Sequence, residues 1–190
     1  VATFRGPPIV SADVAALVLV PTYNERANLP LLVAGLMQHP GVRVLVIDDQ
    51  SPDGTGEVAE ALAREHPGRV DVMHRSGRRG LGRAYIDGMK KAIGEQVDVV
   101  CQMDADLSHD PRHLPDLIAA TARADVVIGS RYVPGGRILN WPWRRRLLSR
   151  MPDLGRLAIS LGLFLAAYAV VAALWGARTR RKGVCCQKWS

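Results

Sequence analysis

Cysteine is scarce. Three in 190 residues cannot build the disulfide framework of a small secreted scaffold. The first 25 residues hold no basic stretch followed by an apolar run, so no signal peptide is expected. There is no internal repeat and no low-complexity segment. No Gly-Lys-Ser/Thr closes a glycine-rich loop, which excludes a Walker-type phosphate loop. There is no Ser/His/Asp elbow and no CxxC, and His39, His66, His74 and His113 lack metal-ligand spacing. Acid is scarce in one region only. Residues 137–190 hold 11 Lys/Arg and a single acid, Asp153, for a net of +10, whereas residues 1–136 carry a net of −3. A nucleic-acid binder needs its positive charge on the folded body, so the acidic body argues against one. A basic tail beside an apolar run suggests a membrane surface.

What is present is a globular chain. Hydrophobic residues make up 48% and charged residues 23%, which excludes disorder for most of the length. The length fits one domain, able to bury roughly 70% of its unfolded surface. From residue 15 onward, apolar runs alternate with helical stripes. Residues 15–20, 42–47, 70–73, 97–103 and 125–128 read as short, continuously apolar strands. Between them, residues 27–37 carry Leu29, Leu32, Val33 and Leu36 at helical spacing. Residues 56–64 and 81–93 read as helices, and Asp110-Pro111 is an N-cap and first-turn pair opening another. Strict alternation with strands apolar on both faces predicts an α/β fold: a mostly parallel sheet with helices on both faces. In such sheets, ligands sit at the carboxyl ends of the strands.

After residue 138 the rhythm changes. Trp141, Trp143, Leu147 and Leu148 are interleaved with Arg144, Arg145, Arg146 and Arg150, the pattern of an interfacial helix with its cations toward lipid phosphate. Residues 157–176 then run without a charge. At about 1.5 Å per residue this spans a hydrocarbon core of ~30 Å, so a transmembrane helix is expected there. The expected organisation is therefore a catalytic domain over 14–150 and a membrane-associated tail over 151–190. The face carried by residues 15–136 is expected on the cytoplasmic side.

The candidate chemistry lies at strand ends. Asp48 and Asp49 end the second strand; Asp104 and Asp106 end the fourth. If the sheet is parallel, both pairs share one rim. Two hard oxygen donors in a D-x-D turn suit Mg²⁺ or Mn²⁺ carrying a diphosphate, although aspartates also end strands and cap turns for structural reasons. Turn chemistry alone accounts for Pro52, Gly54 and Thr55. The basic, glycine-rich turn 75–82 can cradle an anion with its backbone N–H groups or simply be a turn. His109, just past the D-x-D, is expected to cap a helix rather than catalyse, and Cys101 to be a buried strand residue.

Assembled in order, these stretches resemble family two glycosyltransferases of the GT-A fold, and more closely the dolichol-phosphate (polyprenol-phosphate) mannosyltransferases. The resemblance rests on Pro21-Thr22-Tyr23-Asn24-Glu25, Ile47-Asp48-Asp49-Gln50-Ser51-Pro52-Asp53-Gly54-Thr55, Gly80-Leu81-Gly82-Arg83-Ala84-Tyr85 with Gly88-Met89, Asp104-Ala105-Asp106-Leu107-Ser108-His109, Gly129-Ser130-Arg131-Tyr132 and Asn140-Trp141-Pro142. After Arg150 the chain departs from the family pattern.

The resemblance implies a set of roles. Pro21, Tyr23 and Glu25 would hold the nucleotide base and ribose, with Ile47 and Asp49 completing that pocket. Asp104, Ala105, Asp106 and Ser108 would surround the metal and diphosphate, and Arg131 would contact phosphate or the donor sugar. Asp104, Asp106 and Arg131 would be the catalytic residues. Arg144, Arg145, Arg146 and Arg150 would meet the lipid phosphate and the membrane. The implied reaction is inverting transfer of mannose from GDP-mannose to dolichyl or polyprenyl phosphate, with Mg²⁺ or Mn²⁺ as cofactor. Two alternatives stay open: a lipid-phosphate glycosyltransferase using another nucleotide sugar, and a nucleotide-sugar-binding remnant that is catalytically incomplete.

Overall fold

The computed structural model describes residues 14–77, 79–95, 97–130 and 183–187. Strands and helices alternate: β1 (Ala16–Thr22), α1 (Leu29–Leu36), β2 (Val42–Asp48), α2 (Thr55–Glu65), β3 (Val70–His74), α3 (Leu81–Gly94), β4 (Val99–Gln102), α4 (Leu114–Ala120), β5 (Val126–Gly129) and β6 (Gly183–Gln187). The sheet order is β3-β2-β1-β4-β6-β5. Every pairing is parallel. Parallel strands covered on both faces are largely apolar, which is why the first five stand out in the sequence as short apolar runs.

The pleat sorts β1 between two layers. Ala16, Val18 and Val20 join Leu29, Leu32, Val33 and Leu36 of α1, Ala59 of α2, and Leu114 and Ile118 of α4 in one buried cluster. Leu19 instead meets α3, where a methyl added at Gly88 would stand 3.2 Å from Leu19 Cδ1 and 2.5 Å from Ile47 Cδ1. The expected helices on both faces are therefore present.

Pro21 lies within a central strand yet disturbs no ladder. Pairing between β1 and β4 stops at Leu19 and Gln102, and the last bond on that side runs from Met103 N to Leu19 O at 3.1 Å. The missing proline N–H falls beyond it. Asp110 caps the turn before α4 as expected, accepting from Arg112 N at 3.0 Å, and the first turn, Pro111–His113, is a 3₁₀ helix.

One element was not expected. Residues 183–187 form β6, inserted between β4 and β5, where the sequence reading placed only a tail. The proposed interfacial helix and the apolar span 157–176 lie outside the described residues. Among the described residues, no helix is long and apolar enough to cross a membrane.

Candidate active site

The order of strands reverses between β1 and β4, since β2 and β3 extend to one side of β1 and β6 and β5 to the other side of β4. Such a switch point opens a crevice at the carboxyl edge. Four loops meet that edge: those after β1, β2, β3 and β4. Parallel strands lie about 4.8 Å apart, so the β2 and β4 loops stand about 10 Å from one another across β1.

The first two loops are laced together. Asn24 N donates to Ser51 Oγ at 3.1 Å, Glu25 N to Thr55 Oγ1 at 3.0 Å, and Arg26 N to Asp53 Oδ2 at 3.2 Å. Asp53 also accepts from the Thr55 hydroxyl at 2.6 Å and from its N–H at 3.0 Å. These bonds favour the carboxylate and hold the Asp53 carboxyl below its ordinary range. The Ser-Pro-Asp-Gly-Thr stretch is thus a structural clasp, as its turn chemistry suggested, and Gly54 takes the left-handed conformation it requires at φ +89°.

The two acids that end β2 have separate structural partners. Asp48 is buried and accepts from Ser51 Oγ at 2.6 Å, Ser51 N at 3.2 Å and Thr22 Oγ1 at 3.3 Å. Asp49, also buried, pairs with Arg75 and accepts from Gly80 N at 2.8 Å. Arg75 reaches on to Asp87 of α3 at 2.9 Å. Burial works against the Arg75 charge, but Asp87 and Asp49 outweigh it and strengthen the guanidinium's hold on its proton. The glycine-rich turn does bind an anion with a backbone N–H at the start of α3, and that anion is the protein's own Asp49. Arg79 completes the cover. Its guanidinium lies 4.7 Å from the Tyr23 ring centroid, donates to Tyr23 Oη at 2.9 Å and to Gln50 O at 3.2 Å.

The D-x-D turn is built by alternation. Ala105 is buried in the core while Asp104 is half-buried and Asp106 exposed, so the small residue anchors the loop between two acids. Tyr85 of α3 donates its phenolic hydrogen to Asp104 Oδ1 at 2.9 Å. Asp104 N donates to Nδ1 of buried His109 at 3.0 Å, which makes Nδ1 an acceptor and puts the neutral ring's proton on Nε2. His109 therefore supports the acidic loop from below instead of capping the following helix; Asp110 has taken the cap. Asp106 Oδ1 accepts from Ser108 N at 2.9 Å. Burial raises the Asp106 pKa, but the hydrogen bonds from Ser108 outweigh it, so the net shift is downward. Asp106 is an anion at neutral pH.

Three non-glycine residues among those described have positive φ: Asn24 (61°), Gln50 (58°) and Leu107 (60°). Each sits in one of the loops on this edge. Asparagine tolerates the conformation; for leucine it costs roughly 1–2 kcal/mol. Strain of this kind collects where a loop must present groups to a ligand.

Of the residues singled out in the sequence, the structure gathers Pro21, Tyr23, Glu25, Ile47, Asp49, Asp104, Ala105, Asp106 and Ser108 along one edge. Glu25 is held by Asn28 Nδ2 at 2.8 Å. The side chains of Ile47 and Ala105 are buried, so their backbones are what they offer a ligand. Arg131, Arg144, Arg145, Arg146 and Arg150 lie outside the described residues. The rim acids do not converge on one point, and among the described residues no three His, Cys, Asp or Glu side chains stand close enough to cage a metal. The Asp104/Asp106 pair fits a different arrangement. A carboxylate has about four lone-pair sites, so each retains acceptor capacity beyond its described hydrogen bond. Mg²⁺ and Mn²⁺ are commonly held by one or two carboxylates together with substrate phosphates. Sequence reasoning missed Tyr85, His109, Arg75 and Arg79 as builders of this edge, because Tyr85, Arg75 and Arg79 act through partners outside their own loop and His109 is buried beneath its own.

Comparison with known proteins shows the family. The family model described as Glycosyl transferase family 2 matches residues 17–179, running on past the motifs that end near residue 150. A polyprenol monophosphomannose synthase of Mycolicibacterium smegmatis is 48% identical over 161 residues, 83% of this chain and 60% of that protein. An undecaprenyl-phosphate mannosyltransferase of Micrococcus luteus is 49% identical over 134 residues, 70% of this chain and 55% of that protein. The chain thus spans 60% or less of the length of these relatives. Among solved structures, a mannosyltransferase of Pyrobaculum calidifontis in complex with GDP-Man and Mn²⁺ superposes with a TM-score of 0.52 at 23% identity, over 61% of this chain and 35% of that one. This last likeness concerns the fold.

Proposed function

The chain belongs to glycosyl transferase family 2, and from that premise we propose that it transfers mannose from GDP-mannose to a polyprenyl phosphate. The observation that carries the reading is the placement of Asp104 and Asp106 at the switch point, one strand spacing from the loop bearing Tyr23 and two from the loop bearing Asp49. A nucleoside diphosphate sugar laid along this edge would put its base over Tyr23 and Asp49 and its diphosphate at the D-x-D. The relatives' names supply the transferred sugar and the acceptor class.

The chemistry asks little of a general base. The acceptor is a phosphate monoester, already anionic at neutral pH, and no poised histidine is needed to activate it. The protein's tasks are to align the acceptor with the anomeric carbon and to offset the charge that develops on the departing diphosphate. Asp104 and Asp106 would hold a divalent cation, which when bound supplies that neutralisation. Tyr23, Glu25 and Asp49 would hold the nucleoside, with the Asp49 carboxylate kept in place by Arg75 and Gly80 N. Arg131 would contact phosphate or the donor sugar. Arg144, Arg145, Arg146 and Arg150 would meet the lipid phosphate and the membrane. Because the family inverts the anomeric centre, the product would be a β-linked mannosyl phosphate lipid and GDP.

The test is transfer of labelled mannose from GDP-mannose to polyprenyl phosphate in detergent, with Mg²⁺ or Mn²⁺. Labelled lipid is expected from this chain and should be lost in Asp106→Ala. Labelled lipid formed equally well from UDP-glucose would instead favour another donor. Donor binding without product would identify a nucleotide-sugar-binding protein.

A further inference from the structure

We infer that Tyr85 is a positioning residue for the metal-and-diphosphate end of the site, and that α3 ties this end to the nucleoside end. The inference rests on the proposed role of Asp104 and Asp106. Its own observation is the bond from Tyr85 Oη to Asp104 Oδ1 at 2.9 Å.

Helix α3 meets the catalytic edge at two places. At its start, Gly80 N donates to Asp49 Oδ2, and Asp87 holds Arg75, which pairs with Asp49. One helical turn after Leu81, Tyr85 holds Asp104. The two contacts reach carboxylates on strands that are not neighbours, since β1 lies between β2 and β4. The helix thereby sets the relative position of the residues proposed to read the base and those proposed to receive the diphosphate.

The phenol has the right chemistry. Its hydroxyl is a hydrogen-bond donor, and a carboxylate that accepts that hydrogen has one fewer rotamer to choose among. The Asp104 backbone is fixed from the other side by His109 Nδ1. A D-x-D acid restrained at both backbone and side chain loses little conformational entropy when a cation arrives. Removing such an outer partner commonly lowers metal affinity 10–100-fold. Among the described residues Asp106 shows no such link to a helix: its partner is Ser108, two residues along the same loop. The two acids therefore differ, Asp104 being preset and Asp106 locally held.

The experiment compares the purified chain with Tyr85→Phe, which removes only the hydroxyl. Mn²⁺ binding in the presence of GDP is followed by electron paramagnetic resonance of free Mn²⁺, and GDP binding is measured calorimetrically with and without Mn²⁺. Tyr85→Phe should weaken Mn²⁺ binding about tenfold while leaving metal-free GDP affinity and the thermal midpoint unchanged. In an Asp104→Asn background, the same substitution should have little further effect. Equal Mn²⁺ affinity in Tyr85→Phe, with metal-dependent GDP binding intact in the parent, would overturn the positioning role alone. A parallel loss of metal-free GDP affinity and thermal stability would also overturn it, by making Tyr85 a packing residue. A parent whose GDP binding ignores Mn²⁺ would overturn the metal reading itself, and the Tyr85 role with it.

Discussion

At the residue scale, the edge is held by acids assigned to different tasks. Asp48 and Asp53 close loops, Asp49 is clamped by Arg75 and Gly80, and Asp104 and Asp106 remain for a ligand. Asp53 gives a pH-dependent test of the clasp. Its carboxyl is held below the ordinary 3.8, so the stability it contributes is fully present above that value and is lost as pH falls through the lower folded value. Asp53→Asn should therefore lower the urea midpoint at pH 7, and the gap from the parent should close below pH 3.8. Urea titrations at pH 7, 5 and 3 would check this; a gap that stayed constant with pH would show that the charge contributes nothing. The D-x-D and the loops bearing Tyr23 and Asp49 were legible in the sequence because short-range spacing and the end of an apolar run suffice to place them. Tyr85 was not. It sits in an amphipathic stripe, and its bond to Asp104 spans 19 residues, a relation that only the packing of α3 on the sheet creates. His109 was misread for a related reason: a histidine before Asp-Pro looks like a cap, but its ring turns inward and the aspartate does the capping.

At the element scale, α3 is the member whose seating matters most. Gly88 allows it to lie close to the sheet over Leu19 and Ile47, both fully buried. Gly88→Ala would set its Cβ 2.5 Å from Ile47 Cδ1. Overpacking of this kind costs about 1–3 kcal/mol, and the better helix propensity of alanine returns about 1 kcal/mol. A net destabilisation of about 1 kcal/mol is expected in urea unfolding. Adding Ile47→Val removes the offending methyl, so the double variant should be more stable than the two separate losses predict; simple additivity would place the clash elsewhere. The alternation of five strands with helices was readable because each parallel strand is an apolar run and each covering helix carries a stripe. β6 was not readable. It is a five-residue strand whose neighbours, β4 and β5, lie far back in the chain, and periodicity carries no information on such remote pairing.

At the scale of the whole molecule, charge divides along the chain. The body is mildly acidic and residues 137–190 are strongly basic. If that basic stretch brings the catalytic edge to a bilayer, binding to vesicles containing phosphatidylserine should fall with rising salt. Replacing Arg144, Arg145, Arg146 and Arg150 by Gln should weaken it by up to about 1 kcal/mol for each charge near the surface. Cosedimentation with such vesicles at 50 and 300 mM salt measures both effects. Binding that ignored salt and the four substitutions would leave apolar insertion as the cause.

The position of β6 has a consequence for how the chain acquires its structure during synthesis. Among the described residues β5 pairs in the sheet through β6, so when residues 126–129 leave the ribosome that strand partner has not yet been translated. The block from β1 to β4, including the loops that carry Tyr23, Asp49 and Asp104, can assemble first, while the pairing of β5 with β6 waits for residues 183–187. The nascent protein would thus possess the nucleotide-facing half of its edge before its sheet is complete.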